Sequence, residues 1–107
     1  MRKHLLGGFA LIAALCSSNA LADAVDDAFF TCALFERTGL TTGCEVQGWG
    51  STVDVRMDMN SGEARKTCTQ VAQMIHDQRG GALRSANWKL KIFSPYSGDQ
   101  PIAVCNF

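Results

Sequence analysis

The chain has 107 residues, 10 Lys and Arg against 10 Asp and Glu, five cysteines and an apolar share of 47%. That balance of charge excludes a protein built mainly to grip nucleic acid, which needs a basic surface against phosphate. The length suits one domain, and no repeat, low-complexity tract or long linker divides it.

The opening segment bears on the compartment. Met1-Arg2-Lys3-His4 is a short basic start, Leu5 to Cys16 an uncharged apolar run of twelve residues, and Ser17-Ser18-Asn19 a polar break before Ala20-Leu21-Ala22. Basic, apolar and small-residue regions in that order make a secretory signal peptide, with cleavage expected after Ala22. Twelve residues are too few for a bilayer core, which takes about 20. Leu15 stands before Cys16 where lipid attachment wants Gly or Ala, so lipidation is not expected. The expected organisation is a cleaved leader over residues 1–22 and one mature domain over residues 23–107.

The mature part keeps Cys32, Cys44, Cys68 and Cys105. An even count in a short exported chain points to two disulfides. A domain this small buries only a little over ~60% of its unfolded surface, so covalent cross-links help it physically. Without the leader there are 8 Lys and Arg against 10 Asp and Glu. Seven of those carboxylates lie in residues 23–58, while six of the Lys and Arg lie in residues 59–107.

The first mature element is expected to be a helix. Val25, Ala28, Phe29, Cys32 and Ala33 recur at helical spacing, Asp23, Asp26 and Asp27 suit the positive end of a helix dipole, and Gly39 is the stop. Phe30, Leu34 and Phe35 widen the apolar surface, so this helix is buried on two sides or offers a contact face. Cys44 to Trp49 is a short strand, and Gly48-Trp49-Gly50-Ser51 supplies turn chemistry. Thr52 to Met59 alternates, with Val53, Val55, Met57 and Met59 on one face and Thr52, Asp54, Arg56 and Asp58 on the other, as in a half-buried strand of an antiparallel or mixed sheet.

A helix follows. Asn60 with Glu63 three residues on forms a capping pair. Ala64, Cys68, Val71, Ala72 and Ile75 make its apolar stripe, and Gly80-Gly81 ends it. Trp88 to Ile92 alternates again, with Lys89 and Lys91 outward and Trp88 in the core. Residues 94–101 form a turn-rich loop, and Ile102 to Phe107 closes as a strand. Hairpins on either side of a helix predict an α+β domain, an N-terminal helix followed by a β-β-α-β-β unit. Its four-stranded, mainly antiparallel sheet carries the helix on its apolar face. Four cysteines allow three pairings; Cys32–Cys44 and Cys68–Cys105 fit these placements best.

Candidate chemistry is sparse. Redox activity wants a C-x-x-C pair, and the nearest cysteines, Cys32 and Cys44, are far apart in sequence. Met57, Met59, Met74 and His76 are soft ligands that suit Cu(I). Met57 and Met59, however, continue a core face, and His76 falls on the polar side of its helix; no cofactor or metal is expected. Asp54 and Asp58 could form a carboxylate site, but acid–base work needs a cleft, which a sheet surface does not offer. Arg56 between them suggests a solvated, salt-linked row.

Loops on a rigid scaffold carry binding, and Tyr is favoured at contacts. The candidate binding residues are Tyr96, Ser97 and Asp99 of the loop, Trp49, and Asp54 and Arg56 of the outward face. Against this, a hairpin Tyr96 often folds over the sheet edge, and a Trp such as Trp49 is more often core. The function expected is a small exported, periplasmic or secreted, non-enzymatic interaction protein. It would act as an inhibitor or envelope accessory protein whose partner is another protein of the envelope or outside the cell. The alternatives are a small exported enzyme using surface carboxylates and a Met/His copper-binding protein.

Overall fold

The structure, a computed structural model, describes residues 22–107. The expected leader lies outside the described residues, apart from Ala22. Residues 22–37 (α1) are helical, followed by β1 (Thr41–Gln47), β2 (Thr52–Met57), α2 (Ser61–Arg79), the short α3 (Ala82–Ser85), β3 (Lys89–Phe93) and β4 (Pro101–Asn106). The strands form one mixed sheet in the order β1-β2-β3-β4. β1–β2 and β3–β4 pair antiparallel, while β2 and β3, joined through the helices, pair parallel. A helical crossover is the connection that a parallel neighbour requires. The domain is α+β, with helices on one face of the sheet and the other face open.

The period-2 pattern of β2 works as expected from Val53 to Met57, while Thr52, expected on the outward face, is buried. Val53, Val55 and Met57 are buried while Asp54 and Arg56 are only part-buried on the opposite side. The ladder ends at Met57, because Met59 N–H donates to the Met57 carbonyl at 3.1 Å and curls the chain out of the strand. Asp58 and Met59 therefore lie beyond the strand once expected to include them. α2 begins where the capping pair places it: Asn60 Oδ1 accepts from the Glu63 N–H at 2.8 Å, and Asn60 Nδ2 donates to Glu63 Oε1 at 2.9 Å. Gly80 ends the helix at φ 92°, a conformation that favours glycine.

The buried face of α2 is Ala64, Cys68, Ala72 and Ile75. Three of the four are small, so the helix axis approaches β3 and β4 closely. Leu90, Ile92 and Ala103 rise from those strands into the same core, closed by Leu83, Trp88 and Phe107. Two disulfides bind the layers. Cys32–Cys44 joins α1 to β1, and Cys68–Cys105 joins α2 to β4, which are the pairings the element placements favoured. Intramolecular disulfides are compatible with an oxidising, extracellular compartment. No helix among the described residues is long and apolar enough to cross a membrane.

α1 departs from expectation in its facing. Its buried side is Ala24, Asp27, Ala28, Thr31, Cys32 and Phe35, while Val25, Phe29 and Ala33 are exposed. The buried stripe includes two polar residues, so apolar spacing alone misplaced it. Asp27 Oδ1 accepts from Arg79 Nε of α2 at 2.9 Å, and the Arg79 guanidinium lies 4.6 Å from the centroid of Phe30. Thr31 hides its hydroxyl by donating to the Asp27 carbonyl at 2.7 Å. A buried carboxylate demands a cation, and Arg79 supplies it.

Candidate functional site

The strand register builds the open face of the sheet. Glu45 of β1 is the cross-strand neighbour of Asp54 of β2, and Asp54 is that of Lys91 of β3. One step along, Gly43, Arg56 and Phe93 form the next row. Because residues two apart share a face, these side chains all lie opposite the helices. Where β1 and β2 meet the 94–100 loop, the face sinks into an open concavity of about 570 Å³. It is lined by Thr42, Glu45, Gln47, Asp54, Arg56, Phe93 and Asp99, among others.

Arg56 organises this region. Its Nη1 donates to the Ser94 carbonyl at 2.6 Å and its Nη2 to the Gly98 carbonyl at 3.1 Å. The same guanidinium sits 5.2 Å from the Phe93 ring centroid. The salt-linked row expected along β2 does not form: among the described residues the one ion pair is Asp27–Arg79. Two loop carbonyls and an aromatic face satisfy Arg56 in place of Asp54 and Asp58. The loop is further knitted by Ser97, whose Oγ accepts from the Ser94 N–H at 3.0 Å and donates to the Ser94 carbonyl at 3.2 Å. The Tyr96 N–H in turn donates to Ser94 Oγ at 3.1 Å. Ser97 thus shapes the loop rather than facing outward, and Tyr96 stands on a braced turn with 82% of its surface exposed. It does not fold back over the sheet edge.

Asp54 carries the clearest polar irregularity. Its Oδ1 is buried and receives no hydrogen bond from any described protein group. A buried acceptor without a donor is rare in folded proteins and calls for an explanation. With Glu45 beside it and Asp99 across the concavity, the lining is acidic, and its one cation, Arg56, is already engaged. The surface carries a cleft at Asp54 after all. Sequence spacing missed it because the wall is a loop brought over by contacts 38 and 42 residues away.

Trp49 is the second correction. It is fully exposed at the tip of the β1–β2 turn, not in the core. The turn is too tight to fold it inward: residues 48–51 contain Gly48 and Gly50, with Ser51 at φ 55°. Trp49 and Tyr96 lie at opposite ends of the sheet, because the β1–β2 turn precedes β2 while the 94–100 loop follows β3, its parallel neighbour. The six residues of β2 separate them by roughly 20 Å at about 3.3 Å per residue. Of the candidate residues, Asp54, Arg56, Ser97, Asp99 and Tyr96 come together, and Trp49 stands apart.

The soft ligands divide. Met57, Met59 and Met74 line a groove on the helix side of the sheet, whereas His76 has Nε2 3.1 Å from Arg84 Nη1. No group of three or more His, Cys, Asp or Glu with metal-holding geometry occurs among the described residues. The comparisons give the chain no family: no protein-family model, no curated protein and no solved structure matches it.

Proposed function

We propose that this chain is an exported, periplasmic or secreted, binding protein that engages a protein partner across the open sheet face. The observation that carries this reading is the Arg56 clamp, which holds the Tyr96 loop in one shape with Tyr96 presented to solvent. Rigidifying a contact loop before binding removes ordering entropy from association. An exposed aromatic on such a loop is the kind of anchor that dominates interfaces. Standard interfaces bury about 800 Å² per partner, a patch roughly 30 Å across. That is enough to reach from Tyr96 to Trp49 over the acidic concavity. A basic side chain of the partner would satisfy the buried Asp54 oxygen, since charge-assisted hydrogen bonds are the strong ones.

The presented, braced loop also favours an inhibitor-like role toward another exported protein. A second reading has one specific observation behind it: Glu45 and Asp54 are neighbouring carboxylates in a concavity, the arrangement acid–base catalysis uses. Quantitative crosslinking in native envelope extract separates the two. A partner held at one-to-one stoichiometry by the wild type, and weakened about 30-fold or more by Tyr96→Ala, is expected for a binding protein. Unchanged capture in Tyr96→Ala, Trp49→Ala and Asp54→Asn alike would remove this face from consideration. Turnover of an envelope substrate abolished by Asp54→Asn would favour the enzyme.

A further inference from the structure

On the helix side of the sheet the domain holds a second concavity of about 490 Å³, and its lining is nearly all apolar. The seam between α1 and α2 is closed at one end by the Asp27–Arg79 pair. At the other end α1 stops at Arg37, and the chain turns through Gly39, where φ is 71°, toward β1. The gap so opened is floored by Met57 and Met59 and walled by Leu34, Val71 and Met74, with Leu40 at its lip, 68% exposed. Every methionine of the chain except Met1 lies here. Thioether side chains are flexible and polarisable, and they mould to apolar guests of varied shape.

One charged residue lines the groove, Arg37, and no carboxylate does. Among the described residues Arg37, like Arg65, makes no ion pair and no side-chain hydrogen bond, whereas Arg56, Arg79 and Arg84 are each engaged. The volume falls within the 300–1,000 Å³ typical of small-molecule sites, which are mostly apolar with a few polar groups that fix orientation. We propose that this groove binds a single-chain amphiphile with an anionic head, of the medium-chain fatty-acid class. The tail lies along Met57, Met59 and Met74, and the carboxylate pairs with Arg37. Burying an aliphatic chain supplies the favourable free energy. A lone guanidinium at the mouth selects a carboxylate over a neutral head and orients it bidentately.

The test uses the whole protein, labelled with 13C at the methionine methyls and titrated with laurate below its micelle concentration. Saturable, one-to-one shifts of the Met57, Met59 and Met74 methyl signals are expected. Arg37→Gln, an exposed position, should weaken laurate at least tenfold while changing dodecanol affinity less than threefold. Met74→Gln should weaken both. Absence of saturable shifts in those three methyls overturns the proposal, as does equal loss of laurate and dodecanol in Arg37→Gln. Shifts that depend on protein concentration without added laurate would assign the groove to a second copy of the chain and overturn it too. None of these outcomes bears on Tyr96, which lies on the other face.

Discussion

Removing the Cys68–Cys105 link by the paired substitution Cys68→Ala and Cys105→Ala tests what holds the layers together. The bridge closes a span of 37 residues, against 12 for Cys32–Cys44. On the chain-entropy model these loops restrict the unfolded chain by about 4 and about 3 kcal/mol respectively. Cys68 is fully buried, so truncation also leaves a small void that adds on the order of 1 kcal/mol. A domain of this length has about 4–13 kcal/mol in total at 0.05–0.15 kcal/mol per residue. Loss of the longer bridge should therefore cost a third or more of the stability and lower Tm by on the order of 20 °C. Urea unfolding followed by tryptophan fluorescence measures it, and Trp88, buried at 5% exposure, reports the core while the fully exposed Trp49 contributes little change. The m-value should rise, because the uncrosslinked unfolded chain exposes more surface. A loss under about 1 kcal/mol, or a larger loss on removing Cys32–Cys44, would refute the loop-closure reasoning.

Other substitutions probe single contacts. Arg79→Ala leaves the Asp27 carboxylate, 5% exposed, without its cation; a loss of about 1–3 kcal/mol is expected by urea titration. Arg79→Lys should recover part of it, since the charge returns but the guanidinium stacked on Phe30 does not. Asn60→Ala removes the acceptor of the Glu63 N–H and should lower stability by about 1 kcal/mol. Trp49→Ala should change stability by less than about 0.5 kcal/mol despite the size of the side chain, because Trp49 buries nothing in the free protein. A larger loss there would mean that the β1–β2 turn packs on the domain.

How much of this was legible depends on how local the deciding interaction is. The β2 alternation, the Asn60–Glu63 cap and the Gly80 stop are settled within a few residues, and each could be read off the chain. The facing of α1 could not, because Asp27 is buried for the sake of a cation 52 residues away. Tyr96 was singled out by its turn-rich surroundings, but the loop that carries it is tethered by Arg56, a residue of β2 distant in sequence. The three-methionine groove was half visible: Met57 and Met59, two apart in sequence, both line it although β2 ends at Met57, yet Met74 reaches them only through the crossover of α2.

The sequence by itself determined the class of the domain, its strands and long helix, and the cysteine pairing that the helix and strand positions favour. Those follow from periodicity, capping and loop closure, which act along the chain. The tertiary structure alone decided the parallel pairing of β2 with β3, the two concavities, and which aromatics stand free. Each of these arises where side chains distant in sequence compete for the same partner, and neighbouring residues carry no record of that competition.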